Sequence, residues 1–181
     1  GRVFLDGAAL GGWNADGIRG RDVSMKAGET HTIAIEMTSG GTLGGLRGNV
    51  WISFVPRPAV TIDCSGDWEI SKDMLRYSPV KLPGAYDGFG VRRMIDIEAK
   101  HKGKTVMIRV DNDARIVGVI INGFLVRRQH HMIGNRFDLN ITPWVKFGTS
   151  NEIELVSLWE GPTKGTIATV ELGFYEPGTY P

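Results

Sequence analysis

Polar and apolar side chains alternate through Thr30-His31-Thr32-Ile33-Ala34-Ile35-Glu36-Met37, and the same alternation returns in Asn49-Val50-Trp51-Ile52-Ser53-Phe54. A period of two puts every second side chain on the same side of an extended chain. This is typical of a strand with one buried face and one solvated face. Further strands are predicted at residues 91–97, 105–110, 118–121, 151–158 and 166–174.

Turn residues bound nearly all of these strands, and helix signals are scarce. Asn122-Gly123 is one such turn, and glycine occurs 25 times in the 181 residues. One helical turn fits Asp67–Leu75, and another fits Ile141–Val145, where Pro143 stands near the start. Short strands with few helices predict an all-β chain, folded as an antiparallel β-sandwich of the jelly-roll type.

The composition is that of a globular protein and weighs against two classes of partner. Hydrophobic residues make up 41% and charged residues 23%, and the net charge is +1. The charges alternate in sign instead of forming the basic stripe of a nucleic-acid binder, so no nucleic-acid partner is expected. No apolar run reaches the length of a membrane span, so no membrane partner is expected. The single cysteine, Cys64, excludes an intramolecular disulfide.

The two parts of the chain share an internal similarity. Residues 4–10, 22–25, 28–35 and 50–54 resemble residues 120–125, 138–141, 148–155 and 170–174, in the same order. Pro56 and Pro58 mark a boundary, because proline does not fit a central strand. We therefore predict a partial β-sandwich unit at residues 1–58, either the second half of a preceding module or added strands. A whole sandwich follows at residues 59–181. The alternative is that any two sets of β-hairpins share such signals.

The region after residue 118 resembles a motif of glycoside hydrolase accessory domains. Val119–Arg127 contains a strand that ends in asparagine-glycine, and then a return strand. A polar loop at Ile133–Arg136, a strand at Phe137–Leu139 and a proline turn at Thr142–Trp144 follow in the order of that motif. The region is similar to the galactose-binding-like jelly rolls of β-galactosidases of families 2 and 35. The similarity covers roughly residues 60–176.

A second segment carries the same resemblance. Tyr86–Arg93 is similar to a family 2 segment in which a glycine turn leads into an arginine-bearing strand, although Val91 replaces a large aromatic residue. Residues 128–132 also depart from a more glycine-rich stretch of the family. Residues 1–58 resemble, more loosely, the end of a sugar-binding β-domain of the type found in anthrax protective antigen. The resemblance implies a secreted or periplasmic bacterial protein with a catalytic domain in the same polypeptide.

Carbohydrate is the partner that the resemblance implies. Sugar sites combine an aromatic platform with planar polar groups. Tyr86 and Asp87, in a predicted glycine-rich loop, are the best local combination. The predicted ligand-binding residues are Trp68, Tyr86, Asp87, Arg92, His130, Asn135 and Arg136. The alternative for Trp68 is a ring that plugs the end of the sandwich, and for Tyr86 a structural role also stays open.

No catalytic residue is predicted. A glycosidase needs two carboxyl groups about 5–10 Å apart, whereas the Asp and Glu residues here lie mostly at turns or on polar strand faces. A family 2 or 35 active site would lie in a (β/α)-barrel, for which this chain is too short and too poor in helices. A structural calcium ion fits Asp111 and Asp113, although their triplet with Asn112 is also a good plain turn.

The preferred hypothesis is a non-catalytic module of a modular glycoside hydrolase, which contacts sugar through aromatic and polar residues of its end loops. The first alternative is a structural sandwich that buttresses a catalytic barrel without a sugar site. The second is a subunit that completes its N-terminal strands with a neighbouring chain.

Overall fold

The computed structural model describes residues 1–12, 23, 25, 28–37, 56–116, 118–127, 136–157 and 161–179. This part of the chain is built from β-strands and two single-turn 3₁₀ helices, Ala99–His101 and Thr142–Trp144. The strands are β1 (Arg2–Leu5), β2 (Ala8–Gly12), β3 (Ile33–Glu36), β4 (Val60–Asp63), β5 (Gly66–Ser71), β6 (Tyr77–Leu82), β7 (Gly84–Gly88), β8 (Gly90–Ile97), β9 (Thr105–Asn112), β10 (Gly118–Ile121), β11 (Phe124–Arg127), β12 (Arg136–Asn140), β13 (Thr149–Val156) and β14 (Thr163–Tyr175). The prediction of an all-β sandwich is confirmed.

The two helix expectations have different outcomes. The turn with Pro143 near its start forms as the 3₁₀ helix Thr142–Trp144. The expectation within Asp67–Leu75 is wrong, because residues 67–71 belong to β5. Trp68 and Ile70 point inward there and Asp67 and Glu69 outward, which is the alternation of a strand. Within the described residues, no helix is long and apolar enough to cross a membrane.

The chain divides into two compact units, Gly1–Phe54 and Val55–Pro181. The division lies close to the predicted boundary at residue 58. In the N-terminal unit, β1 pairs antiparallel with β2 and with β3, so the strand order is β2-β1-β3. Asp6 and Gly7 form the β1–β2 turn with φ angles of 49° and 83°, the positive values that a two-residue hairpin turn requires. Every described side chain of this unit is at least partly exposed.

The C-terminal unit has two antiparallel sheets. One sheet has six strands in the order β11-β10-β13-β8-β5-β6. The other has the order β12-β9-β14-β4, and β7 pairs with the first residues of the long strand β14. An irregularity between Ile167 and Thr169 shifts the β14–β9 register, so β14 serves both β7 and β9. Sheets stacked in this way bury one face each and leave the other face open.

The core lies between these two sheets. Alternate residues of the central strands face it, among them Val91, Ile153 and Ile108, all of which are fully buried. Each such aliphatic side chain contributes about 1.5–3 kcal/mol relative to an exposed position. The remaining fully buried large residues are Tyr86, Ile97, Ile116, Ile121, Phe137, Ile141, Leu155, Ile167, Leu172 and Phe174. The outward-facing residues of the six-stranded sheet form a second, polar surface.

Candidate functional site

The outer face of the six-stranded sheet carries a connected polar network across four strands. Arg92 on β8 donates from Nε to Oε2 of Glu69 on β5 at 2.8 Å. The Arg92 guanidinium also lies 3.7 Å from the centre of the Tyr77 ring on β6, within the range of a cation–π contact. The Tyr77 hydroxyl donates to Oε1 of Glu154 on β13 at 2.8 Å. These four residues, Glu69, Arg92, Tyr77 and Glu154, are called the sheet-face network below.

Two small residues allow Tyr77 to take part in this network. In the strand register Ser71 on β5 lies opposite Tyr77, and Gly90 on β8 lies opposite Ser71. Because neither residue has a large side chain, the Tyr77 ring can extend over two strands towards Glu154. A Cβ atom at Gly90 would lie 2.9 Å from Oε1 of Glu154. Glycine at position 90 therefore leaves room for the Glu154 carboxylate.

The electrostatics of the network follow from burial and pairing. Burial, followed by the hydrogen bond to Glu154, raises the pKa of Tyr77 to about 12. The hydrogen bond to Glu69 raises the pKa of the Arg92 guanidinium above its usual value. Tyr77 therefore stays protonated as a donor, and Arg92 stays charged, throughout the neutral pH range. Neither side chain is a proton-transfer group at that pH.

An open groove of about 580 Å³ borders this network. The charged groups along it are Asp67, Glu69, Arg92 and Glu152, together with Arg93. Pro79 and the half-exposed Met94 supply an apolar lining. Carboxylates accept hydrogen bonds and guanidinium groups donate them, so the groove offers both functions to a ligand rich in hydroxyl groups.

Tyr86 does not lie in an end loop, and that expectation is wrong. Gly84–Gly88 forms β7, paired with β14, and its alternation points Tyr86 into the core with 2% of its surface exposed. The Tyr86 hydroxyl lies 3.5 Å from Ser157 Oγ, and burial raises the pKa of Tyr86 to about 12. A ring so enclosed offers no face on which a sugar could stack.

Asp87 points away from Tyr86, because successive strand residues face opposite sides. Its carboxylate is half-exposed, at 3.8 Å from Lys72 Nζ and 3.6 Å from Lys164 Nζ. The predicted combination of Tyr86 with Asp87 is therefore divided between the core and the surface.

Trp68 is also a core residue, with 2% of its surface exposed. Its Nε1 donates to the Cys64 carbonyl at 2.8 Å, and Arg93 Nη1 donates to the same carbonyl at 2.8 Å. The alternative of a ring that plugs the sandwich agrees with this position, and a stacking platform does not. Among the predicted ligand-binding residues that the structure describes, Trp68 and Arg92 line the groove, and Arg92 has an exposed polar group there.

Three predicted ligand-binding residues stay predictions. His130 and Asn135 lie outside the described residues. Arg136 begins β12, where its backbone lies opposite Asp111, but its side chain is outside the described part of the chain.

Asp111 and Asn112 are the last residues of β9, and Asp113 follows it, so the triplet is not a plain turn. Oδ1 of Asn112 accepts from the backbone N–H of Ile116 at 3.1 Å, and Oδ1 of Asp113 accepts from the backbone N–H of Thr166. Within the described residues, no group of three or more His, Cys, Asp or Glu side chains could hold a metal ion. Calcium at Asp111 and Asp113 stays a prediction.

Sequence reasoning missed Tyr77, Glu69 and Glu154 as partners of Arg92. They are 8 to 85 residues apart in the chain, and only the strand register brings them together. The available signal was weak, because β8 and β13 were predicted as separate strands whereas β5 and β6 were not predicted as strands.

Comparisons with known proteins were made for the whole chain. No protein-family model matches the sequence, and no curated protein matches it. Solved structures do match. A β-D-glucuronidase of Dictyoglomus thermophilum aligns with a TM-score of 0.51 and 16% identity, over 68% of this chain and 29% of that chain. A glycosyl hydrolase family 2 member of Bacteroides cellulosilyticus aligns with a TM-score of 0.50 and 20% identity, over 65% of this chain and 21% of that chain.

A third match is β-glucuronidase 2 of Bacteroides uniformis, with a TM-score of 0.51, 19% identity, and coverage of 65% of this chain and 18% of that chain. The chain thus spans less than a third of the length of these structures. At such identities the likeness establishes the fold. The sandwich that the sequence resemblance predicted is confirmed as a sandwich also found in glycosyl hydrolases of family 2.

Proposed function

We propose that residues 55–181 form a non-catalytic accessory domain of a larger glycoside hydrolase. The observation that carries this proposal is the coverage of the structural matches. Two thirds of this chain corresponds to 18–29% of three glycoside hydrolase chains. A sandwich of this kind is therefore one part of those enzymes. The proposed partners are the catalytic domain of the same polypeptide and a carbohydrate, in a secreted or periplasmic setting.

The carboxylates of the sheet face support a non-catalytic role. A general acid of a glycosidase requires a site that raises its pKa, usually an apolar pocket. Glu69 is half-exposed and paired with Arg92, and Glu154 accepts a hydrogen bond from Tyr77. Both carboxylates contact polar partners on an open sheet face and do not lie in an apolar pocket of the kind that a general acid requires.

We infer that carbohydrate contact takes place on the sheet-face groove and not through Tyr86 or Trp68. Arg92, Glu69 and Glu152 supply planar donors and acceptors, and Met94 with Pro79 supplies apolar contact for C–H groups. Arg92 has further guanidinium hydrogens to donate, because its bond to Glu69 uses Nε.

Calorimetric titration with galactose-, mannose- and xylose-type oligosaccharides tests this inference. Saturable binding that falls about tenfold or more in Arg92→Ala is expected, since a hydrogen bond to a charged group contributes ~1.5–3 kcal/mol. Lys164→Ala is the matched control, because it removes an exposed cation that pairs with Asp87 elsewhere. Binding that is unchanged in Arg92→Ala, or absent for every sugar, contradicts carbohydrate contact at this groove. Hydrolysis of an aryl glycoside by the pure chain contradicts the non-catalytic role.

A structural role is the second candidate, and the β10–β11 hairpin favours it. Phe124 is 58% exposed and Leu125 36% exposed, on the strand that ends the six-stranded sheet. Two exposed apolar side chains on an edge strand are typical of a contact surface. Hydrogen exchange of residues 124–127 in the parent enzyme and in the isolated chain tests this role. Equal exchange in the two samples contradicts docking at this hairpin.

A further inference from the structure

We propose that the N-terminal unit is the second half of another sandwich with the topology of the C-terminal unit. Its completing first half lies in polypeptide that precedes residue 1 and pairs antiparallel with the free edge of β3. This inference concerns the assembly of the N-terminal unit and does not depend on sugar binding or on an accessory role of residues 55–181.

The first argument is that the two units share a strand order, and that their registers agree next to the hairpin turn, although β1–β2 has an irregularity between Val3 and Phe4 that β10–β11 lacks. β1 pairs with β2 and β3, as β10 pairs with β11 and β13. Leu5 lies opposite Ala8 and Ile33, and Ile121 lies opposite Phe124 and Ile153. The sequence similarity had paired residues 28–35 with 148–155, which also matches Ile33 with Ile153. The sequence similarity and the strand register therefore give the same correspondence.

The second argument is a shared hydrogen-bond arrangement at the hairpin turn. Asp6 and Asn122 both have left-handed backbones, with φ angles of 49° and 50°, and each precedes a glycine. The Asp6 N–H donates to the Thr32 carbonyl at 2.8 Å, and the Asn122 N–H donates to the Glu152 carbonyl at 3.0 Å. In return, the Thr32 N–H donates to Asp6 Oδ1 at 2.8 Å and the Glu152 N–H to Asn122 Oδ1 at 3.1 Å.

The side chain one position earlier continues the correspondence. His31 Nδ1 lies 2.7 Å from Asp6 Oδ2, and Asn151 Oδ1 accepts from Asn122 Nδ2 at 2.9 Å. An aspartate with histidine in one unit replaces two asparagines in the other. The same clamp between hairpin turn and third strand is thus built twice with different side chains. Generic hairpins have no need of a shared clamp, so the likeness indicates a repeated half-domain.

The third argument comes from the apolar face of the unit. Val3, Leu5, Ile33 and Ile35 occupy the positions of Val119, Ile121, Ile153 and Leu155. All four residues of the C-terminal unit are fully buried under the second sheet. Their counterparts are equally apolar, yet none of them is buried, and Ile33 is 38% exposed. Within the described residues this apolar face is uncovered, and a contiguous exposed apolar patch is typical of a surface that another segment or partner covers.

The molecule contains a template for what covers this face. In the C-terminal unit β13 pairs on its other edge with β8, with Ile153 opposite Arg93 and Leu155 opposite Val91. Among the described residues, no strand pairs with the corresponding edge of β3. The strands of the first half, β4 to β9, all precede the β10–β11 hairpin in the chain. By the same connectivity, the partner of β3 precedes β1.

The edge of β3 that no described strand pairs with has definite hydrogen-bonding groups. The bonds between Asp6 and Thr32 place the backbone groups of Thr32 on the β1 side. Because successive residues alternate in direction, the N–H groups of Ile33 and Ile35 point to the free edge and that of Ala34 to β1. The occupant is therefore an antiparallel strand with apolar residues at alternate positions, bonded to Ile33 and Ile35.

Amide hydrogen exchange measured by NMR tests the proposal. In the chain of residues 1–181, we expect Ile33 and Ile35 to exchange at least about 100-fold faster than Ile153 and Leu155, which are paired with β8. In the full-length natural polypeptide, the exchange of Ile33 and Ile35 is expected to slow by at least about tenfold. Ala34 is the internal control, because its N–H faces β1 in both samples.

Two outcomes of this measurement overturn the proposal. Slow exchange of Ile33 and Ile35 in residues 1–181 at every protein concentration would show a unit that is complete by itself. Slowing that appears only as concentration rises would show a second copy of the chain at the edge. Unchanged fast exchange in the full-length polypeptide, or a polypeptide with no strand-forming segment before residue 1, overturns the proposal equally.

A pair of variants in the full-length polypeptide tests whether the apolar face of β3 is the covered face. Ile35→Lys places a charge on the face that the first half would cover, and should return Ile33 to its fast exchange. Ala34→Lys places the same charge on the opposite face of β3 and should leave Ile33 slow. Unchanged exchange of Ile153 shows in each case that the C-terminal unit is intact. Equal behaviour of the two variants contradicts the proposed cover.

Discussion

Replacement of Tyr86 by alanine distinguishes two roles of this residue, a core residue that stabilises the fold and an aromatic platform that binds a ligand. The ring is fully enclosed between the sheets, and an aromatic side chain truncated to alanine in a core typically costs ~3–5 kcal/mol. Domains of this size have about 5–15 kcal/mol of stability in total, so Tyr86→Ala should remove a large fraction of it. The hydroxyl has two side-chain partners, Ser157, whose Oγ is 3.5 Å away, and Thr163. Tyr86→Phe should cost about 0.5–1.5 kcal/mol, less than Tyr86→Ala.

Urea denaturation followed by circular dichroism measures these differences directly. Asp87→Ala is the matched control, since Asp87 is the next residue but lies on the surface beside Lys72 and Lys164. Exposed ion pairs contribute about 0–1 kcal/mol, so this variant should stay close to the parent. A loss of less than about 1 kcal/mol in Tyr86→Ala, combined with loss of sugar binding, would refute the core assignment and restore the ligand role.

Gly88→Ala should destabilise the C-terminal unit by several kcal/mol in urea denaturation, about the effect of overpacking, because its Cβ would lie 2.5 Å from the Ser71 carbonyl oxygen; wild-type stability would contradict this close approach. Burial raises the pKa of Tyr77 and of Tyr86 from 10.0 to about 12, so the unfolded chain releases these protons first and stability should fall as pH rises from about 10 to about 12. A flat urea midpoint over that range would contradict the burial of both hydroxyls. Burial also raises the pKa of the Cys64 thiol to about 12, so the native protein should not react with a thiol reagent at pH 8 until it is unfolded.

The sandwich was predictable because burial on one face imposes a period of two on the sequence. The runs at residues 91–97, 105–110 and 151–158 lie almost entirely within β8, β9 and β13. Asn122-Gly123 was equally readable, since both residues adopt the positive φ angles of a two-residue hairpin. The alternating pattern and the Asn-Gly turn each depend on residues that are close in the chain, so they can be recognised from one sequence.

The predicted position of Tyr86 was wrong for a physical reason. Two glycines at residues 84 and 88 are typical of a loop. In the structure, a Cβ at Gly84 would lie 2.6 Å from the Lys81 carbonyl, and Gly88 lies against Ser71. Both glycines therefore allow close backbone approach within a paired strand, β7. A glycine that serves close packing and a glycine that serves a loop are indistinguishable without the neighbouring strand.

The sheet-face network depends on information of the same kind. The carboxylates of β13 were predicted to lie on a solvated strand face, whereas the β5 residues were expected in a helical turn; isolated surface pairs would justify the first interpretation. The strand register supplies information that the polar pattern does not contain. It places the small residues Ser71 and Gly90 beside Tyr77, so that the Tyr77 ring can cross two strands and its hydroxyl can reach Glu154. A sheet face that only contacts water does not require small residues such as Ser71 and Gly90 beneath the ring of Tyr77. The network is therefore a set of specific side-chain contacts. The groove beside Arg92 is the proposed ligand site in place of the end loops.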